Sequence, residues 1–401
     1  MWLLDRLLRR AITRGALEIQ DHAGHVHRYG DPAATAVKLR LTDAATERKI
    51  ATNPTLGAGE AFMDGRLIVE SGDVMDLLDV VGRNLRWDRG NALRVSLWNQ
   101  QRIAAKWDEW NARARSKRNV AHHYDLSDKL YDLFLDEERQ YSCGYFRDGN
   151  VGPDSDLDRA QRDKLDHIVA KLRLNPGMKV LDIGCGWGGM ARHIHKLSGA
   201  EVLGVTLSEE QLKYARAKAK ELGIDGKVRY ELMDYRDVEG PFDRIVSVGM
   251  FEHVGRPNYF AYFDKVASLL APDGVALVHS IGRAGGKGAT DPWTAKYIFP
   301  GGYTPALSEM MPHVERAYLW VADIEVWRLH YAYTLEHWLK RCRARKAEIV
   351  ALYDERFFRM WEFYLGGAIL AFRHDDHVVY QLQLTRQRDA VPLTRDYLYK
   401  G

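Results

Sequence analysis

The chain has only three cysteines in 401 residues, Cys143, Cys185 and Cys342. None is paired or in CxxC spacing, so neither a disulfide framework nor a zinc site is expected, and no metal is assigned. A reducing cytoplasm is the expected compartment. Charge of one sign is also scarce: 58 basic against 55 acidic residues leave a net +3, too little to imply nucleic acid. Apolar runs are short. The longest candidate, Phe363 to Phe372, is about half of what a bilayer span needs. Asp5, Arg6, Arg9 and Arg10 interrupt the first apolar residues, which excludes a signal-peptide core there. A soluble or membrane-peripheral protein is expected. What is plentiful is aromatic, with 11 Trp and 20 Tyr, suited to handling apolar or cationic material.

At 401 residues there is room for two domains. Trp2, Leu3, Leu4, Leu7, Leu8, Ala11 and Ile12 recur at helical spacing, with Arg6, Arg9, Arg10 and Arg14 between them. Such a basic amphipathic helix suits an anionic membrane surface, and equally a helix docked on its own domain. Short alternations such as Val37–Leu41 and Leu67–Glu70 read as a small α+β accessory domain over 1–85. Residues 86–118, rich in Arg, Trp and Lys and without proline, read as a helical connector, and 119–401 as the catalytic domain.

The catalytic part centres on Val180-Leu181-Asp182-Ile183-Gly184-Cys185-Gly186-Trp187-Gly188-Gly189. An apolar strand ends in an acid, opens into glycines and passes into a helix, as in nucleotide-binding doubly wound folds. The pattern fits G-x-G-x-x-G, a weak signal alone. Asp182 before the turn suits a cation better than a pyrophosphate. The next strand ends in Thr206, without the acid that grips a dinucleotide ribose about 20 residues on. S-adenosylmethionine, cationic and without phosphate, fits better than NAD.

Strands at Glu201–Thr206, Val228–Leu232, Phe242–Val248 and Val275–Ser280 alternate with helices at Glu209–Leu222 and Tyr259–Leu270. That rhythm predicts an α/β doubly wound parallel sheet. Ligands bind beyond the carboxyl ends of such strands, where Asp182, Thr206, Asp234, Glu252 and His279 all fall. Leu307–His313, Ile324–Ala344 and Ala347–Phe372 read as aromatic-laden helices, a lid over a hydrophobic tunnel, and Val378–Leu384 as a strand. His253 is open between a helix-start residue and a functional one. His122 and His123 read as capping or packing residues.

Several motifs carry a more specific resemblance: Tyr141-Ser142-Cys143-Gly144-Tyr145-Phe146, the glycine stretch, Gly204-Val205-Thr206-Leu207-Ser208-Glu209-Glu210-Gln211, Gly249-Met250-Phe251-Glu252-His253-Val254-Gly255, Lys296-Tyr297-Ile298-Phe299-Pro300-Gly301-Gly302 and His330-Tyr331-Ala332-Tyr333-Thr334-Leu335. From about His122 almost to the C-terminus the chain resembles the cyclopropane-fatty-acyl-phospholipid synthases, relatives of the mycolic acid cyclopropane synthases. The N-terminal domain resembles that family's accessory domain more loosely. The resemblance implies a class I methyltransferase fold, S-adenosylmethionine as donor and the cis double bond of a phospholipid acyl chain as acceptor. It also implies a homodimer working as a peripheral protein at the inner face of a membrane. Tyr141, Ser142, Asp182, Gly184, Gly186, Gly188, Thr206, Gln211, Asp234 and Tyr235 are the expected cofactor residues. Cys143, Glu252, His279, Ile281 and Tyr331 match the family's bicarbonate site, Cys143 and Ile281 through backbone groups. A scaffold relative that makes a methyl-branched or methylene lipid or methylates an amine, and a lipid-binding protein without catalysis, are the alternatives.

Overall fold

The computed structural model describes residues 1–87, 126–149, 151 and 155–399. Most of the expected connector, with His122 and His123, lies outside the described residues. The chain forms two compact units that interleave along the sequence. To the first belong residues 1–87 together with 289–300 and 335–377.

The first unit is built on β1 (Ala16–Gln20), β2 (Val26–Gly30), β3 (Ala36–Leu41) and β4 (Leu67–Ser71), in the order β2-β1-β3-β4. Val37, Leu39 and Leu41 alternate with polar residues and enter the core, the period of a half-buried strand. Helices start at side-chain caps: Asp43 accepts from the Thr46 amide at 2.8 Å, and Asp73 from Asp76 at 2.9 Å. The N-terminal helix Trp2–Ala11 buries Leu4 and Ala11 in this core, yet Trp2 and Leu3 are 73% and 46% exposed. It is thus docked on its own unit and still offers an apolar pair to solvent beside its arginines.

Later stretches join this unit by packing rather than by chain order. Phe363, on the helix Glu355–Arg373, meets Phe62 at 5.9 Å and Trp293 at 4.9 Å between ring centroids. Buried Glu60 accepts from Lys296 Nζ and from the Tyr297 hydroxyl, each at 2.7 Å. The segment before Tyr303 includes a helix, Pro292–Tyr297, capped by Asp291.

The second unit holds a seven-stranded sheet in the order β10-β11-β9-β8-β5-β6-β7. Its strands are β5 (Lys179–Ile183), β6 (Glu201–Thr206), β7 (Val228–Leu232), β8 (Phe242–Val248), β9 (Leu270–Arg283), β10 (Trp320–Trp327) and β11 (His377–Thr385). β5 to β9 are parallel, and β10 runs antiparallel to β11. Both faces are covered, as a parallel sheet requires. Val180 and Val202 pack with Leu165, Met190 and Leu212 on one face; Leu181, Ile183 and Ile245 pack with Phe263, Val266 and Met310 on the other. The doubly wound expectation holds.

Three boundaries differ from the sequence reading. Residues 324–327 belong to strand β10, and the helix begins only at His330; the apolar positions Ile324, Val326 and Trp327 pair along β11. The helix expected over Ala347–Phe372 is two, Lys346–Leu352 and Glu355–Arg373, parted where Asp354 caps the second. β9 starts at Leu270 and not Val275, a register shift opposite Phe242 and Arg244 absorbing Pro272-Asp273-Gly274.

Candidate active site

Beyond the carboxyl ends of the parallel strands, the second unit opens a cleft around the glycine turn. Gly186 and Gly188 have φ of +55° and +82°, conformations that glycine adopts without strain. A Cβ on Gly186 would meet nothing within 4 Å, so this backbone lies open to a ligand. Tyr141, Ser142, Asp182, Gly184, Gly186, Thr206, Gln211, Asp234 and Tyr235 all line the cleft.

Gly188 does not line it, contrary to expectation. A Cβ there would come within 2.5 Å of the Tyr230 hydroxyl, which donates to the Gly188 carbonyl at 2.8 Å. That glycine makes room for packing. Thr206 donates to Gln211 Oε1 at 3.0 Å, and Ser208 caps the helix that carries Gln211. Asp234 caps the Tyr235–Asp237 turn and pairs with Arg236 at 2.8 Å.

One residue that sequence reasoning missed sits behind the cleft. Lys164, on the helix Leu157–Leu172, is fully buried and donates to Gln140 Oε1 at 2.7 Å and Ser142 Oγ at 2.9 Å. Burial pushes it down to about 8, against the charges of Asp136, Cys143 and Asp182. Asp182 is buried as well, and its Oδ2 has no hydrogen-bond partner among the described residues. Burial raises this carboxyl to about 7, with Lys164 opposing. A carboxyl group desolvated beside a single countercharge suits a cationic ligand. The only sequence signal for Lys164 was a lysine on the apolar stripe of its helix, which a snorkelling residue would equally explain. His253 also lines the cleft, with burial lowering its ring to about 4.

The second expected set, Cys143, Glu252, His279, Ile281 and Tyr331, lies outside the cleft lining. Glu252 follows β8, and its Oε1 accepts from the Ile281 amide at 2.6 Å. Its Oε2 is buried without a hydrogen-bond partner among the described residues, and burial raises the carboxyl to about 7. Because Ile281 gives its N–H to Glu252, it has its carbonyl left to offer a ligand, and that carbonyl already accepts from Ser280 at 2.9 Å. His279, buried on β9, is tied to the turn before Glu252 by the Gly249 amide, which donates to its carbonyl at 2.9 Å. Cys143 is fully buried, which drives its thiol far up and removes it as a nucleophile. The amides of Gly144 and Phe146 donate to Thr334 Oγ1 and His330 Nδ1, each at 3.0 Å. Cys143 therefore lies along the start of the helix His330–Ala344, which also carries buried Tyr331. The five residues form two bonded pieces, Glu252 with Ile281 and Cys143 beside the Tyr331 helix, with His279 connected to the first through backbone.

The parallel sheet and its acid-tipped glycine turn, together with the likeness to solved cyclopropane synthases, place the chain among the class I S-adenosylmethionine-dependent methyltransferases. Within that class, residues 111–382 match the family model described as mycolic acid cyclopropane synthetase, and the chain belongs to that family. It is 38% identical over 368 residues to a probable fatty acid methyltransferase of Pseudomonas putida, covering 87% of this chain and 88% of that one. It is likewise 38% identical over 350 residues to the cyclopropane-fatty-acyl-phospholipid synthase of Escherichia coli K12, covering 87% of each. The solved mycolic acid cyclopropane synthase CmaA1, complexed with SAH and CTAB, superposes with a TM-score of 0.62 at 33% identity, over 67% of this chain and 97% of that one.

The stability contribution of Asp182 is full below its unfolded pKa near 4 and lost as pH rises through its folded value of about 7. Asp182→Asn should therefore gain stability relative to the native chain as pH rises from about 5 to 7.5. Thermal unfolding across that range checks this; a constant difference in melting temperature would show that Asp182 is not desolvated.

Proposed function

We propose that this chain transfers a methylene from S-adenosylmethionine to the cis double bond of an unsaturated phospholipid acyl chain, forming a cyclopropane ring, with bound bicarbonate as proton acceptor. The observation that carries the proposal is Glu252: a buried carboxyl group, one oxygen held by the Ile281 amide and the other without a hydrogen-bond partner among the described residues. Such an oxygen calls for a hydrogen-bonding ligand, one that donates to it when Glu252 is ionised or accepts from it when Glu252 is protonated.

The cleft fits the donor. Desolvated Asp182, the open backbone at Gly186, Thr206 with Gln211, and Asp234–Tyr235 offer a carboxyl group, a bare peptide edge and side-chain acceptors to a cationic, phosphate-free nucleoside. S-adenosylmethionine, when bound, supplies an electrophilic methyl group. An alkene is a weak nucleophile, so the residues around the cleft must exclude water and align the acyl chain. As the π electrons form the new C–C bond, the sulfonium C–S bond breaks and its electrons stay on sulfur. The neighbouring acyl carbon becomes cationic, a charge aromatic faces stabilise. Loss of a proton from the new methyl lets the C–H electrons close the ring.

Bicarbonate, when bound, supplies the acceptor for that proton. Glu252 would hold it through an O–H···O bond, His279 and Tyr331 through polar side-chain atoms, and Ile281 and Cys143 through backbone groups. Glu252, raised to about 7, is close enough to neutral not to repel an anion. A protein carboxylate in the acceptor's place would itself face the electrophile. The same set favours cyclopropanation over amine methylation, which has no such carbon-bound proton to remove.

The lipid is met at a bilayer surface. Exposed Trp2 and Leu3, with Arg6 stacked 5.9 Å over the Trp2 ring, are an apolar pair backed by positive charge. Among the described residues no helix is long and apolar enough to cross a membrane. Replacing Trp2 and Leu3 together by serine should weaken co-sedimentation with anionic phospholipid vesicles without lowering the melting temperature; undiminished co-sedimentation would remove this helix from membrane contact.

Mass spectrometry and NMR of acyl chains after incubation with unsaturated phospholipid vesicles and S-adenosylmethionine test the reaction. A monounsaturated chain heavier by one CH₂ with cyclopropane ring protons is expected. An exocyclic or shifted alkene, or a lipid left unchanged while the cofactor binds, contradicts it. Glu252→Gln should cost at least about a hundredfold in turnover with S-adenosylmethionine affinity nearly intact in a calorimetric titration; equal loss of both would remove Glu252 from the anion site.

A further inference from the structure

Behind the proposed anion site runs a buried polar chain that the reaction scheme above does not use. Lys171 Nζ donates to Glu325 Oε2 at 2.5 Å and to Gln381 Oε1 at 2.8 Å. Gln381 Nε2 stands 3.1 Å from His279 Nδ1. Lys171, Gln381 and His279 are all buried. Burial works against ionisation of Glu325, but the His167 hydrogen bond at 2.7 Å and the Lys171 charge hold its carboxyl well below the usual range. The cation at Lys171 is thus matched by a carboxylate.

The chain is directional. A lysine ammonium has three donors and no lone pair, so the Gln381 amide must turn its oxygen toward Lys171. Its nitrogen then faces His279, and an amide nitrogen only donates. Nδ1 of His279 must therefore be the bare, accepting nitrogen. Burial first, and then the charges of Lys164 and Lys171, push the ring down to about 3, with Glu325 opposing, so it is neutral at working pH. A neutral imidazole whose Nδ1 accepts carries its proton on Nε2. The ring plane is set as well: Trp327 meets His279 edge-on at 5.2 Å and is itself packed against Tyr145 at 4.7 Å.

We propose that Lys171 and Gln381 are positioning residues that lock His279 as an Nε2–H donor, so that it holds the anion and cannot take up the proton released during ring closure. This rests on the anion site assigned above. It gives the site a division of labour in which His279 binds and another group accepts.

Long-range proton–nitrogen NMR of the ¹⁵N-histidine-labelled full chain reads the tautomer directly, before any mutation. A pyridine-like Nδ1 and a pyrrole-like Nε2 are expected for His279; a protonated Nδ1, or averaged signals from both forms, overturns the proposal. In Gln381→Glu a carboxylate accepts from Lys171 and His279 together, so the two nitrogen signatures should exchange. Over a bicarbonate titration on unsaturated phospholipid vesicles, that variant should need about tenfold more bicarbonate for half-maximal rate, with the KM for S-adenosylmethionine unchanged. Exchanged signatures with unaltered bicarbonate demand would overturn the donor role. A native enzyme with the expected tautomer but a rate indifferent to bicarbonate would overturn the anion site while leaving the lock itself in place.

Discussion

Asp182 is buried at the tip of β5 with one oxygen unpartnered among the described residues, and the buried cation that acts on it is Lys164. Isolating a carboxyl group in this way is costly unless a positive ligand arrives or the group takes up a proton. The cleft follows from that constraint. Gly186 leaves the turn's backbone bare, Lys164 stands behind and also holds Ser142 and Gln140 in place, and polar side chains from the ends of β6 and β7 border the opening. Two further buried groups repeat the theme nearby. Glu252 and His279 are also held near or at neutrality by desolvation, which suits chemistry that must avoid water around a carbocation.

The sequence made the strand-and-turn logic legible because that logic is local. An apolar strand, an acid and a glycine run determine where the chain bends and what a ligand can touch, and Thr206 with Gln211 lies in one short stretch. Residues whose role arises from contact across the sheet were not legible. Lys164 looks like any lysine on a helix stripe until Ser142 is seen above it. Gln381 and Gln383 are two polar residues in an apolar strand, and only the fold places Lys171 beneath them: its Nζ donates to Gln381 and its carbonyl accepts from Gln383 at 2.7 Å. The packing role of Gly188 was hidden in the same way. This glycine shares the positive φ of the turn, but its crowded neighbour, Tyr230, is more than forty positions away.

The strand at Trp320–Trp327 shows the same limit in secondary structure. Its aromatic and β-branched residues fit a helical lid about as well as an edge strand, and pairing with β11 decides between them. Compactness likewise gathers distant stretches, since Trp293 and Phe363 complete the core begun by Phe62. Cores of this kind form by matching apolar faces rather than by order along the chain.

The central claim is that a methyl group is transferred to an acyl-chain alkene and then loses one of its hydrogens. Incubation of unsaturated phospholipid vesicles with S-adenosylmethionine carrying a trideuterated methyl, followed by mass spectrometry of the acyl chains, measures this directly. The account predicts a product that retains two of the three deuterium atoms, both on the ring carbon. Retention of all three would mean that the proton leaves from the acyl chain instead, giving a methyl-branched alkene, and would contradict it.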